Sequence, residues 1–89
     1  MKYVIFKFAS LYIPVIVPEC CTHSQINIKG AKPVSAGFFK ITNLGFVFVL
    51  ETSSESLKIG PNPWRDKKLL ELLLSGNKDT SSYLTYNFD

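Results

Sequence analysis

The sequence predicts an α+β domain: a twisted, mostly antiparallel sheet of four to six short strands with one helix, at about residues 63–75, packed on it. Two stretches with alternating apolar side chains, at 2–17 and 38–51, indicate hairpins. A leucine-rich stretch with helix start and stop signals follows them. Because this one helix comes after most of the strands, a parallel strand–helix–strand unit is not expected. We expect residues 1–89 to form a single domain, with a flexible tail from about residue 77.

The first hairpin is predicted from KYVIFKFA, residues 2–9, and LYIPVIV, residues 11–17. Alternation divides the first strand between two faces, with Val4, Phe6 and Phe8 on one and Tyr3, Ile5 and Lys7 on the other. On the second strand one face carries Leu11, Ile13, Val15 and Val17. Pro14 has no N–H to donate, so the second strand is expected at a sheet edge or bulged at that residue.

The segment from 18 to 30 mixes two signals. Thr22 and Gln25 have the spacing of a capping box, which predicts one short helical turn. Ile26 and Ile28 then alternate as in a strand. We therefore expect a loop followed by a short strand that ends at Gly30.

Residues 30–37, GAKPVSAG, have the composition of a linker, in which Pro33 biases Lys32 towards an extended conformation. FFKIT, NLG and FVFVLE then predict a second hairpin, with strands at about 38–42 and 46–51 and Gly45 in a left-handed conformation. Two registers stay open. Phe39 and Ile41 share a face either with Phe46, Phe48 and Leu50 or with Val47 and Val49.

The remaining elements are a short strand within 53–60, with Leu57 and Ile59 inward, and the helix. Asn62 is a suitable N-cap, Pro63 a suitable first residue and Gly76 a suitable terminator. The leucines of its last two turns cover more than a stripe, so most are expected to be buried: Leu69, Leu70, Leu72, Leu73 and Leu74. The tail alternates at Leu84, Tyr86 and Phe88, which predicts either an edge strand or a segment that orders on a partner.

Composition limits the classes of function. Hydrophobic residues make up 46% and charged residues 19% of the chain, which favours a globular domain over a disordered one. The net charge is only +3 and the lysines are scattered, whereas nucleic-acid binders usually have a basic cluster. Lys7 and Pro14 interrupt the apolar N-terminal stretch and no small-x-small cleavage site follows, so we expect neither a signal peptide nor a membrane span. Adjacent cysteines are poorly placed for a disulfide, which favours free thiols and a cytoplasmic location.

The stretch PECCTHSQI, residues 18–26, holds the two cysteines and the one histidine of the chain. A structural zinc site needs four ligands, and Cys20, Cys21 and His23 supply three within four residues. A cysteine nucleophile needs a base positioned to reach it, and His23 is too near in sequence for most folds. Serine-hydrolase and phosphate-binding motifs are missing as well. We therefore expect no enzyme, no cofactor and no metal, with His23 holding a turn or contacting a partner.

Two features favour a protein partner. Trp64 either packs into the core as a hydrophobic staple or, beside Arg65, Lys67 and Lys68, contacts a partner. The first hairpin is apolar on nearly both faces, and one helix cannot cover two faces of a sheet. Either this hairpin is central, or a second apolar face is left over, which would suit a protein partner or a homodimer. The candidate partner-binding residues are Trp64, Arg65, Tyr83, Tyr86, Phe88 and His23.

The run THSQINIKGAKPVSAGFFKI, followed by SESLKIGPNP, resembles a set of small phage- and prophage-encoded proteins of unknown function. Those proteins have an H-S/D-x-x-x-I-x-G-A-x-P-x-S-A-G-F segment and then an S-x-S-L-x-L/I-G-x-x-P segment, and the similarity spans residues 1–75. The matching residues are His23, Gly30, Pro33, Ser35, Ala36, Gly37 and Gly60. The ECC at 19–21 departs from the pattern, which argues against a required role for either cysteine. The resemblance carries no activity, but it implies a phage accessory protein that acts on a host machine.

The sequence therefore favours a non-enzymatic phage accessory protein that binds another protein and inhibits a bacterial host or defence component. The first alternative is a small nucleic-acid-binding module, in which sheet aromatics stack on unpaired bases. The second is a thiol or metal protein centred on residues 20–23.

Overall fold

The computed structural model describes residues 1–75 of the chain. Four strands form one antiparallel sheet in the order β2-β1-β3-β4: β1 (Lys2–Phe8), β2 (Leu11–Val17), β3 (Lys32–Ile41) and β4 (Val47–Val49). A 3-10 turn spans His23–Gln25, and helix α1 spans Pro63–Leu74. The predicted α+β class is confirmed, with four strands in the sheet and one helix packed against it.

The first hairpin forms as predicted. Val4 and Ile5 of β1 lie opposite Val15 and Pro14 of β2. β2 is an edge strand of the sheet. The missing N–H of Pro14 is tolerated there because an edge strand pairs on one side only. The turn between the strands places Ala9 in the left-handed region, with a φ of 54°.

The prediction of a linker at 30–37 was wrong, because most of that stretch is the first half of β3, a ten-residue strand between β1 and β4. The pairing with β1 shifts register between Ile5 and Phe6, and Pro33 pairs at this irregularity, where a missing N–H costs little. Glycine suits position 37 because the backbone of Thr52 lies close by. A Cβ at Gly37 would lie 3.1 Å from the carbonyl oxygen of Thr52. The small residues and the proline thus reflect close packing rather than a flexible connection.

The second hairpin resolves the open register. Phe39 pairs with Val49 and Ile41 with Val47, so the valines of β4 share the face of Phe39 and Ile41. β4 is only three residues long, against the six predicted. Gly45 has a φ of +88°, the left-handed conformation that the loop was expected to need.

Neither short strand predicted outside the two hairpins is present. Ile26 and Ile28 lie in a loop after the 3-10 turn, although both pack against the sheet. In the 53–60 segment a single bridge joins Ser54 to Ile59, and Leu57 packs on the sheet within the turn between them. Ile59, which was predicted to face inward with Leu57, belongs to neither apolar cluster. Alternation over three or four residues did not distinguish a strand from a packed loop.

Helix α1 begins as its sequence predicts. The Asn62 side chain accepts a hydrogen bond from the Arg65 N–H at 3.5 Å, and Pro63 is the first helical residue. Leu69 and Leu70 are fully buried, whereas Leu74 is exposed, so burial of the last two turns is less complete than predicted. Gly76 and the predicted tail strand lie outside the described residues.

Two apolar clusters fill the two sides of the sheet. On the helix side the members include Tyr3, Ile5, Phe39, Leu69 and Leu70. On the opposite side β1, β2 and β3 are covered by the loop that follows β2 and by the segment after β4, through Cys21, Ile26, Ile28, Ala31 and Leu57. Of the two alternatives for the first hairpin, the structure shows no spare apolar face within residues 1–75: β1 lies inside the sheet, and loops rather than a second helix cover its other face.

Candidate protein-binding surface

The cysteine pair has the geometry of two ordinary thiols. Cys20 and Cys21 are both free, and their Sγ atoms lie 3.8 Å apart. The contact with Cys20 and partial burial raise the pKa of Cys21, whereas an activated nucleophile needs a lowered thiol pKa. Within residues 1–75 no three histidine, cysteine, aspartate or glutamate side chains are grouped to hold a metal ion. Nothing in the arrangement favours the thiol or metal alternative.

His23 holds the turn against the sheet. It is buried, its Nε2 donates a 2.9 Å hydrogen bond to the carbonyl of Gly37, and its ring packs edge-on against Phe38. The Gln25 side chain accepts from the Thr22 N–H at 2.7 Å, the contact predicted from the capping-box spacing. A buried ring has little surface for a partner, so His23 acts through the position of this loop.

A shallow pocket of about 280 Å³ is lined by His23, Lys2, Phe38 and Glu55, together with the hydroxyl side chains of Thr22, Thr52, Ser53 and Ser56. Lys2 Nζ donates to the backbone carbonyls of Cys21 and Glu19, at 2.7 and 3.2 Å. The positive charge at the pocket is thus engaged in pinning the turn after β2.

A buried polar network joins α1 to the sheet. The carboxylate of Asp66 is fully buried and accepts hydrogen bonds from Tyr3 Oη at 2.6 Å, Ser35 Oγ at 2.9 Å and the Asn62 N–H at 2.9 Å. Burial and the bond to Asp66 raise the pKa of Tyr3 well above its ordinary value, so the phenol stays protonated. Ser35 is itself 1% exposed, so a substrate cannot reach the serine–aspartate pair, and the network is a structural one.

Arg65 completes this network instead of facing a partner. Its Nε lies 3.3 Å from Asp66 Oδ1, its Nη2 donates to Ser35 Oγ at 2.9 Å, and its guanidinium stacks over the Tyr12 ring at 4.8 Å. The Arg65 side chain is only 11% exposed. Its charge therefore compensates the buried carboxylate, which would otherwise be costly to desolvate.

One group of exposed large apolar side chains lies on the second hairpin and on α1. Leu44 at the hairpin tip is 84% exposed, and Ile41 and Phe46 beside it are also exposed. Trp64 is 63% exposed on α1, so the alternative that it packs into the core was wrong. A single exposed apolar side chain is common on protein surfaces, whereas several of them exposed close together are typical of an interaction site.

Two neighbouring lysines on α1 each lie near one of these aromatic rings. Lys67 Nζ lies 6.0 Å from the ring centre of Phe46, and Lys68 Nζ lies 5.4 Å from that of Trp64. Exposed apolar residues of the second hairpin and of α1, with the two lysines beside their rings, are named here the hairpin–helix surface: Ile41, Leu44, Phe46, Trp64, Lys67 and Lys68.

Glu71 lies at the boundary between this surface and the edge of the sheet. One carboxylate oxygen accepts the backbone N–H of Val47 at 3.1 Å, and both oxygens lie 3.0 Å from Lys67 Nζ. Partial burial acts to raise the pKa of Glu71, but the hydrogen bonds from Val47 and Lys67 outweigh it, and the pKa lies below its ordinary value. A helix side chain thus caps a donor of the edge strand, as proteins do to limit edge pairing.

Of the predicted partner-binding residues, the structure places Trp64 at the surface, Arg65 in the buried network and His23 under its loop. Tyr83, Tyr86 and Phe88 lie outside the described residues. Sequence reasoning missed Leu44 and left open whether Phe46 and Phe48 share the face of Phe39 and Ile41. The turn position of Leu44 was the available signal, since loop tips are exposed.

Comparisons with protein-family models, with curated proteins and with solved structures find no significant match to the chain. Within residues 1–75, no helix has the length and apolar character needed to cross a membrane. Function is therefore inferred from the geometry of this chain's own residues.

Proposed function

We propose that this chain is a non-enzymatic accessory protein that works by binding another protein through the hairpin–helix surface. The observation that carries the proposal is the exposure of Leu44 at the hairpin tip, next to Phe46. Burying such side chains against a partner is favourable by about 25 cal/mol for each Å² of apolar area removed from water.

The charges beside this surface indicate the chemistry of the partner. Lys67 and Lys68 flank the aromatic rings, and Glu71 is already paired with Lys67. A partner segment that combines apolar side chains with an acidic one would satisfy both the rings and Lys68, because opposite charges across an interface favour association.

The biological setting of the proposal comes from the resemblance to small phage and prophage proteins. It supports a phage accessory protein that acts in the cytoplasm of a bacterial host. The partner would then be a host enzyme or a defence component that the protein inhibits.

Affinity capture from a bacterial host lysate tests the proposal when it is done with matched variants. Leu44→Ser is expected to abolish capture of a protein that the wild-type chain retains, while Ile16→Ser, at an exposed apolar position on β2, keeps it. Equal capture by both variants, or no partner for the wild type, would count against this surface.

A second candidate function rests on a different pair of residues. Phe48 is 59% exposed and pairs across the strands with Lys40, so a ring and a cation lie side by side on the sheet. This arrangement suits stacking of an unpaired base next to a phosphate contact. Single-strand binding that is measurable at low salt and weakens as salt is raised would support it, and no binding at low salt would exclude it.

A further inference from the structure

The pocket lined by His23 has walls that hydrogen bonds hold in place. The Ser24 N–H donates to Ser56 Oγ at 3.1 Å, which joins the turn after β2 to the segment after β4. His23 Nε2 fastens the same turn to the Gly37 carbonyl of β3 at 2.9 Å, and Lys2 Nζ fastens it to β1 at 2.7 Å. Walls that are already held in this way need little ordering when a ligand binds, which lowers the cost of binding.

His23 directs one unpaired acceptor into this pocket. Its side chain is 4% exposed, and because Nε2 donates to Gly37, the neutral imidazole keeps an acceptor lone pair at Nδ1. Every fully buried side-chain nitrogen and oxygen of residues 1–75 has a hydrogen-bond partner. Since no group among those residues bonds Nδ1, this atom is not fully buried, and the pocket is the space that His23 lines.

Other polar groups of the pocket are also open to a ligand. The side chains of Thr52, Ser53 and Glu55 are exposed, and none of them makes a hydrogen bond to any of residues 1–75. The two hydroxyl groups can donate and accept, whereas the Glu55 carboxylate and His23 Nδ1 only accept. The pocket therefore suits a ligand that has several O–H groups to donate.

The charges that line the pocket disfavour an ionic ligand of either sign. The Glu55 carboxylate repels an anion, and a deprotonated anion offers no hydrogen to the acceptors. Lys2 repels a cation, and its Nζ is already used in bonds to the backbone carbonyls of Cys21 and Glu19. A neutral ligand avoids both repulsions.

One wall of the pocket is apolar. It is the half-buried ring of Phe38 on β3. A sugar ring has a face of C–H groups that packs on an aromatic ring and a rim of hydroxyl groups that pairs with polar side chains. The volume of about 280 Å³ lies at the lower end of the roughly 300–1,000 Å³ that ligand pockets span, so it has room for one ring rather than a chain.

We infer that this pocket binds one neutral pyranose ring of a sugar. The C–H face of the ring packs on Phe38, and its hydroxyl groups donate to the Glu55 carboxylate and to His23 Nδ1. None of the lining residues belongs to the hairpin–helix surface, so the inference goes beyond the proposed binding function. A ligand of this size in a shallow pocket is expected to have a dissociation constant of about 1 mM.

Two-dimensional amide NMR of the full chain tests the inference, by titration with glucose, galactose and N-acetylglucosamine, each to roughly 50 mM. At least one sugar is expected to shift the amide signals of the pocket walls in a saturable way and to leave those of the hairpin–helix surface unchanged. The methyl glycoside of that sugar distinguishes two sources of the ring. The end of a glycan binds without a free anomeric hydroxyl group, whereas a free sugar uses it.

Two serine variants make a matched pair for this titration. Ser53→Ala is expected to weaken sugar binding about three- to tenfold, because it removes one hydrogen bond to the ligand. Ser10→Ala removes a hydroxyl group from the turn between β1 and β2 and is expected to keep the wild-type affinity. Both serines are exposed, so both variants should stay folded, which circular dichroism checks.

The absence of a saturable shift with all three sugars, or equal affinities of Ser53→Ala and Ser10→Ala, would overturn the inference. Tighter binding of inorganic phosphate at the same walls would also overturn it, because the charges of the pocket would then favour an anion. The proposed partner binding is judged separately. Leu44→Ser should lose host capture and keep sugar binding, whereas Ser53→Ala should weaken sugar binding and keep capture.

Discussion

The phenol of Tyr3 donates a 2.6 Å hydrogen bond to the carboxylate of Asp66, which joins two residues 63 positions apart in the chain. Tyr3 lies at the start of β1 and Asp66 in the first turn of α1. Ser35 from β3 reaches the other carboxylate oxygen at 2.9 Å. The bonds fix where α1 crosses the sheet, and hence where Trp64, Lys67 and Lys68 reach the surface.

Replacing Tyr3 with Phe is expected to lower the free energy of unfolding by about 1–3 kcal/mol, because the buried carboxylate of Asp66 loses one donor. Chemical denaturation of the wild type and Tyr3→Phe measures the difference. Phe46→Leu, at an exposed ring, provides a control that should stay within about 0.5 kcal/mol of the wild type. An unchanged midpoint in Tyr3→Phe would show that the bond contributes little.

Alkaline pH is expected to destabilise the wild type through the same tyrosine. The pKa of Tyr3 is raised in the folded state by burial and by Asp66, above its value of about 10 in the unfolded chain. The stabilisation is therefore fully present below about pH 10 and is lost as the pH rises further towards the folded-state pKa. Unfolding free energies measured across this range should fall more steeply for the wild type than for Tyr3→Phe. Parallel curves would contradict the assignment.

Acid is expected to remove the contribution of Glu71. Its pKa is lower in the folded than in the unfolded state, so the stabilisation is present above the unfolded pKa of about 4.3 and is lost as the pH falls through the folded pKa. The difference in unfolding free energy between the wild type and Glu71→Gln should therefore shrink on acidification. Glu55→Gln, at an exposed position, controls for the loss of one negative charge. If the difference in unfolding free energy between the wild type and Glu71→Gln stays constant with pH, the charge of the Glu71 carboxylate does not contribute to stability.

Two glycines allow a matched test of packing. A Cβ at Gly37 would lie 3.1 Å from the backbone oxygen of Thr52, whereas a Cβ at Gly60 would meet only the Ser53 side chain, which can rotate. Gly37→Ala is expected to cost about 1–3 kcal/mol by overpacking. Gly60→Ala is expected to cost clearly less, and thermal unfolding of the two variants compares them. Equal losses of stability in the two variants would mean that the Thr52 backbone is displaced as easily as the Ser53 hydroxyl.

Some residues of the candidate surface could be predicted from the sequence and others could not. Trp64 was singled out because aromatic residues beside cations often anchor interfaces. Arg65 shared that signal, yet its guanidinium is used by Asp66 and Ser35. Arg65 is drawn into the buried network by a carboxylate one residue away and by a serine 30 residues away. The position of that serine, Ser35, relative to α1 cannot be predicted from the local sequence pattern.

The sequence by itself determined the features that few neighbouring residues encode. Alternation over seven residues specified each strand of the first hairpin, Pro14 marked its edge, and Asn62 with Pro63 marked the start of α1. Such signals work because caps, turns and alternation depend on contacts within a few residues.

Only the tertiary structure decided which segments meet across the chain. It placed residues 32–37 in the middle of the sheet, covered one sheet face with loops, and left Leu44 and Phe48 exposed while it buried Asp66. These outcomes depend on which distant residues share a buried space. The sequence around an apolar or charged residue is the same whether or not a distant residue packs against its side chain. Burial and exposure are therefore decided by tertiary packing.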